Sequence, residues 1–185
     1  NITGGTFPGI YGGRNNNITG GGSLVTIIGS RSSTINGNTG AVDTVGISLG
    51  QQNQITSGYG DYIFGGRENK FENRSTNSFA SVIVGAYNSR LQGNTTGRSA
   101  ILGGTNNDLG VTADVNESAI IVGNNHDMQH DRSVILGGTT LTSTKDDEVL
   151  VPKLTIADPV ATDVLVIANY AGLNFADDTA AAAGG

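Results

Sequence analysis

Two histidines, each followed by an aspartate, form the chain's one cluster of metal-binding residue types: His126-Asp127 and His130-Asp131. Imidazole and carboxylate are ordinary ligands for zinc and other first-row ions. If a threefold axis brought one such histidine from each of three copies together, a trigonal site would form. The pair falls in a turn-rich stretch, however, and spacing on a loop fixes no ligand geometry. The expectation is a solvated polar turn, with no resident metal and no other cofactor. Hydrolytic chemistry has few carriers. There is no Cys, no Gly-x-Ser-x-Gly elbow, and the carboxylates within the central stretch are sparse: Asp61, Glu68 and Glu72. A glycosidase needs two carboxyls at a set separation across a cleft, so catalysis is not expected. Gly20-Gly21-Gly22-Ser23 lacks the Lys-Ser/Thr pair and the helix start of a phosphate-binding loop. Aromatic faces and forked guanidinium donors suit sugars, which makes Tyr59, Tyr62, Tyr87, Arg74, Arg90 and Arg98 the residues for contact with a glycan. Scattered surface polarity is the plainer account of them.

The elements that carry these residues follow from composition. The chain has 185 residues, 29 of them Gly, and only 14% are charged, against the usual quarter or so. Aromatics are 5% and Trp is absent, so packing rests on Ile, Val and Leu. Branching at Cβ suits a pleated surface. The net charge is −6 and the ten Lys and Arg are scattered. With no basic stripe, nucleic-acid backbone binding is not expected. No run of about 18 apolar residues is present, so membrane insertion through a helix is not expected either. Asn1 falls inside a repeat, so the sequence reads as a piece of a longer or processed chain.

The repeat is an apolar pair or triplet, a glycine, a polar run and then one apolar residue. Clear copies are Ile10-Tyr11-Gly12-Gly13-Arg14-Asn15-Asn16-Asn17-Ile18, Ile63-Phe64-Gly65 through Phe71, Ile83-Val84-Gly85 through Leu91, and Ile101-Leu102-Gly103 through Leu109. Eight anchor glycines emerge: Gly12, Gly29, Gly50, Gly65, Gly85, Gly103, Gly123 and Gly137. The next apolar residue lies six positions on for Ile18, Ile35, Phe71, Leu91 and Leu109, and five for Ile55 and Met128. Length variation collects in polar stretches at 36–43, 73–77 and 110–116, as outward loops allow. Units this short are solenoid coils, not domains. The residue before each anchor is apolar, and the one before that is apolar in seven copies, Ser48 excepted. Neighbouring strand residues point to opposite faces. One apolar face therefore fills the interior of a roll, and the other needs a cover, for which copies of the same chain are the simplest choice. The anchors are read as structural glycines at corners of positive φ.

Ser99-Ala100-Ile101-Leu102-Gly103-Gly104-Thr105-Asn106-Asn107 and Ser133-Val134-Ile135-Leu136-Gly137-Gly138 resemble the glycine- and asparagine-rich head repeats of bacteriophage tail fibres, which are related to the β-roll head of trimeric autotransporter adhesins. The resemblance covers about residues 5–140. The strand-like Glu148–Ile156 and the tail from Leu173 through the Ala run to Gly185 resemble a C-terminal element of marine-phage structural proteins. What the resemblance implies is an all-β, parallel β-solenoid that forms an intertwined or side-by-side homotrimer on a virion. Its implied partners are other tail proteins and a host glycan or protein receptor. A bacterial adhesin head and a polysaccharide depolymerase on a β-helical fibre are the alternatives.

Three regions are expected: 1–143 as β-roll repeats in about eight units, 144–172 as a β-strand cap or neck, and 173–185 as an Ala-rich tail. The charged break Lys145-Asp146-Asp147-Glu148 begins the second region. Val149–Ile156 and Val164–Ala168 are its strand candidates, with Pro152 favouring an edge.

Overall fold

The computed structural model of the chain describes residues 1–4, 6–20, 24–36, 44–56, 60–72, 80–93, 97–111 and 114–152. Asn1–Pro152 make one compact unit. The second strand candidate and the Ala-rich tail lie outside the described residues.

The chain winds as a parallel β-solenoid of about seven turns. Each turn contributes one strand to each of two sheets. An eight-stranded sheet stacks Ile2–Thr3, Asn17–Thr19, Thr34–Asn36, Gln54–Thr56, Lys70–Glu72, Arg90–Gln92, Asp108–Leu109 and Asp127–Met128. A nine-stranded sheet stacks Phe7–Tyr11, Leu24–Ile28, Thr44–Ser48, Tyr62–Phe64, Val82–Val84, Ala100–Leu102, Ala119–Ile121, Val134–Leu136 and Val149–Leu150. Every pairing is parallel and joins equivalent residues of successive turns, as in Val82 to Ala100 and Ile83 to Ile101. Paired positions are 15 residues apart at the shortest turn, Ile121 to Leu136, and 20 at the longest, such as Ile28 to Ser48. Between the two strands of a turn, a third column of single bridges runs Arg14, Arg31, Gln51, Arg67, Tyr87, Thr105, Asn124 and Thr139.

Val25 and Val45 are buried, and one further inward residue from most strands fills the interior. From the nine-stranded sheet these are Ile27, Ile47, Ile63, Ile83, Ile101, Ile120 and Ile135, and from the eight-stranded sheet Ile18, Ile35, Ile55, Phe71, Leu91, Leu109 and Met128, all buried. Each fully buried side chain of this size contributes roughly 1.5–3 kcal/mol relative to an exposed one. A mainly aliphatic layer, with Phe71 its one aromatic among the described residues, repeats turn after turn in place of the large aromatic core of an ordinary domain. This explains how a chain with so few aromatics folds.

Register locates two anchors differently from the sequence pattern. Gly12, Gly29, Gly65, Gly85, Gly103 and Gly137 occupy the first corner position, but in the third and seventh turns that position belongs to Leu49 and Val122. Leu49 N–H donates to the Ile28 carbonyl and Val122 N–H to the Leu102 carbonyl, as Gly85 N–H does to Phe64. Gly50 and Gly123 therefore sit one step further along the turn, which is why the apolar residue follows them after five positions. Leu49 and Val122 carry φ of 53° and 53°, a conformation that side chains disfavour, while Gly50 is not among the positive-φ glycines.

Val149–Leu150 extends the nine-stranded sheet in parallel, with Val149 opposite Val134 and Leu150 opposite Ile135. As that sheet's edge strand it tolerates Pro152 just beyond it.

Candidate interaction surfaces

Outward positions of the nine-stranded sheet form two columns that follow from its register. One runs Tyr11, Ile28, Ser48, Phe64, Val84, Leu102, Ile121 and Leu136; the other Gly9, Thr26, Gly46, Tyr62, Val82, Ala100, Ala119 and Val134. Neither column holds a charged residue. Tyr11 is 66% exposed, Phe64 48% and Leu136 39%. Leu49 and Val122 add to the same exposed apolar set at 73% and 52%. Tyr62 and Phe64 stack within it, ring centroids 5.7 Å apart and nearly parallel.

The eight-stranded sheet presents the opposite chemistry. Its outward columns are Asn17, Thr34, Gln54, Lys70, Arg90, Asp108 and Asp127, and Thr3, Thr19, Asn36, Thr56, Glu72 and Gln92. Arg90 grips Asp108 on the next turn with a two-point fork, Nε to Oδ1 at 3.0 Å and Nη2 to Oδ2 at 2.7 Å. That carboxylate raises the Arg90 pKa above its ordinary value.

A third edge precedes the strands Ala100–Leu102, Ala119–Ile121, Val134–Leu136 and Val149–Leu150, where Arg98, Glu117, Arg132 and Asp147 all take positive φ. Arg98 pairs with Glu117 at 2.6 Å and Arg132 with Asp147 at 2.6 Å. Hydrogen bonding to Arg132 holds the Asp147 carboxyl below the usual carboxylate range. Such exposed pairs add little to stability. They set which charge faces which along the edge.

The residues expected to do chemistry are dispersed. His126 is buried at 1% exposure, not solvated in a turn, and its Nδ1 accepts the Leu141 N–H at 3.1 Å. His130 lies elsewhere in the turn, with Nδ1 3.0 Å from Ser143 Oγ. Among the described residues no group of three or more His, Cys, Asp or Glu is placed to hold a metal ion. Asp61 is fully buried and its Oδ1 accepts the Ser81 N–H, whereas Glu68 and Glu72 make outward pairs with Arg67 and Lys70. One chain does not place these carboxylates on one face. Of the sugar-contact set, Tyr62 lies on the uncharged face and Arg90 on the polar one. Tyr87 is at the bridge column under the Arg67 guanidinium, and Arg98 is at the third edge. Tyr59 and Arg74 lie outside the described residues, as do Gly21, Gly22 and Ser23.

The sequence pattern hid a buried polar column. Asn16, Ser33, Asn53, Asn69, Ser89, Asn107 and His126 all point inward. Each offers a side-chain acceptor to the backbone N–H of the same position one turn on: Asn16 Oδ1 to Ser33, Ser33 Oγ to Asn53, Asn53 Oδ1 to Asn69, Asn69 Oδ1 to Ser89, Ser89 Oγ to Asn107, and Asn107 Oδ1 to His126. The asparagine amides also donate to corner carbonyls, as Asn69 does to Ala86 at 2.6 Å. His126 closes the series with a ring nitrogen doing the work of an amide oxygen. With Nδ1 accepting, the proton of the neutral ring sits on Nε2. Burial lowers the His126 pKa. A second column, Asp61, Ser81, Ser99, Ser118 and Ser133, passes the same bond along the opposite corner to Glu148. The signal was present: an Asn, Ser or His stands two residues before each buried apolar residue of the eight-stranded sheet from Ile18 to Met128.

Comparison with models of protein families, with curated proteins and with solved structures finds no match to this chain.

Proposed function

We propose that the chain is the coiled segment of a phage tail fibre or receptor-binding appendage, and that three copies pack through the uncharged outer face of the nine-stranded sheet. The observation that supports this reading is the pair of charge-free columns running from Tyr11 to Leu136. Soluble monomers rarely expose a contiguous apolar strip of this extent. Parallel sheets are ordinarily covered on both faces, and here the interior covers only one. Identical copies related by an axis along the stacking direction present the same rung at the same height, so each column meets its own kind. The role is structural and adhesive, without catalysis. The polar eight-stranded face and the loops are left outward, toward other tail proteins and a host glycan or protein.

The mass of the assembly in solution tests the reading. Native mass spectrometry or light scattering at micromolar concentration is expected to give three chains. A monodisperse single chain would retire it.

A further inference from the structure

We infer that the polar face carries a carbohydrate-binding groove, in which Asn88, Asn106 and Asn125 beside the Arg90–Asp108 fork take the hydroxyls of a neutral oligosaccharide. The groove has a volume of about 310 Å³ and is lined by Lys70, Asn88, Arg90, Asn106, Asp108 and Asn125. No apolar side chain lines it, so an apolar ligand finds no wall to bury against. The inference rests on the proposed adhesive role and deepens it, by naming the place on the polar face and the class of glycan it takes.

The three asparagines occupy one corner position on successive turns. Each has positive φ, 48°, 53° and 60°. Each N–H is fixed to the turn before: Asn88 to Arg67, Asn106 to Tyr87 and Asn125 to Thr105, all at 2.9 Å. The backbone therefore sets the amides at the rung spacing of about 4.8 Å, before any ligand arrives. Little ordering cost remains for binding. Asn88 Nδ2 donates to Asn106 Oδ1 at 2.9 Å, which orients the second amide and leaves its Nδ2 to donate outward. An amide offers both donor and acceptor, the combination that a hydroxyl presents in return.

Charge selects the class of sugar. Arg90 is neutralised by Asp108 at 2.7 Å, and Lys70 lies 3.5 Å from Glu72. The walls therefore hold no uncompensated cation for a carboxylated or sulfated glycan. The fork's role is to fix the floor of the groove and to offer its remaining N–H donors. A chain of sugars lying along the stacking axis meets equivalent groups at each turn.

The test uses the full chain labelled with ¹⁵N in its asparagine side chains. It is titrated with maltohexaose, cellohexaose, chitohexaose and mannohexaose, and with sialyllactose and a heparin tetrasaccharide. At least one neutral hexamer is expected to shift the Asn88, Asn106 and Asn125 amide signals, with a dissociation constant on the order of 1 mM. Glycine accepts positive φ without steric cost, so Asn106→Gly with Asn125→Gly removes two amides and keeps the corner. That variant is expected to bind at least roughly tenfold more weakly, a factor worth one good hydrogen bond. Asn15→Gly, at the same corner far from the groove, is expected to bind normally. Three results would each overturn the inference: no shift with any neutral hexamer at 10 mM (about ten times the expected constant), binding confined to the acidic sugars, or equal binding by the double variant. The assembly mass, read on the same samples, keeps this outcome separate from that of the proposed trimer.

Discussion

The two sheets are built on the same rungs, with the same parallel register and a shared apolar interior, yet they differ outward. Where the nine-stranded sheet shows Phe64, Val84 and Leu102, the eight-stranded sheet shows Lys70, Arg90 and Asp108. The inward layer and the buried polar columns are sufficient to specify the coil. The outward positions are then free to specify what each side meets: an apolar column for a like surface, and amides and neutralised ion pairs for solvent or a hydroxylated ligand.

The largest expected effect comes from exchanging those chemistries. Val84→Asp with Leu102→Asp places carboxylates in the uncharged column, where a threefold assembly brings like charges together, and the measured mass is expected to fall from three chains to one. Thr34→Asp with Gln54→Asp on the other sheet should leave the mass unchanged. Three-chain mass in both variants would separate the apolar face from assembly.

A smaller effect distinguishes neighbours of the same type that face in and out. Asn107→Ala leaves the buried His126 N–H without its acceptor, at a cost of about 1–3 kcal/mol in the free energy of unfolding read from denaturant titration. Asn106→Gly, one residue away and exposed, should stay within about 0.5 kcal/mol. Equal losses would show that the inner column adds nothing of its own.

Acid should act through the same column. Burial keeps the His126 pKa below that of an unfolded histidine, about 6.5. The unfolded chain then binds more protons between that value and the lower folded one. Stability is full above about pH 6.5 and falls as the pH drops toward the folded pKa. Protonation would also set an Nδ1–H against the Leu141 N–H. His126→Asn restores the usual amide, and its thermal midpoint should vary less between about pH 7 and 5, the range in which histidine titrates.

The smallest change is a gain. Val122 holds a positive φ that a β-branched side chain disfavours, at the position where six other turns have Gly. Val122→Gly should stabilise a single chain by up to about 1 kcal/mol, since relief of the left-handed strain slightly exceeds the entropy that glycine loses. Urea unfolding of a dissociated variant measures it without interference from assembly.

Coil architecture was legible because Ile63-Phe64-Gly65 and its copies state both faces of a strand and the corner after it. The inward members could be picked out by spacing, and Ile18, Phe71 and Leu91 are buried as that spacing requires. The anchors at Gly50 and Gly123 misled because Leu49 and Val122 fill a glycine-like corner with a side chain, which shifts the motif by one without shifting the backbone register. Paired asparagines such as Asn106-Asn107 belong to the polar run of each unit. Composition alone does not say that the first turns outward and the second caps a backbone N–H inside. His126 was hidden for the same reason: histidine next to aspartate reads as a polar loop unless its two-residue offset from Met128 is used.

Hydrogen bonds that all run from one rung to the next have a mechanical meaning. Pulled between Asn1 and Pro152, the load lies along those bonds, and a terminal coil peels off before its neighbour feels the force. Stretching a single molecule should therefore release the chain in a staircase, each step freeing 15 to 20 residues, or about 5–7 nm of extended backbone. A tether built this way yields in small increments and re-forms when slack returns.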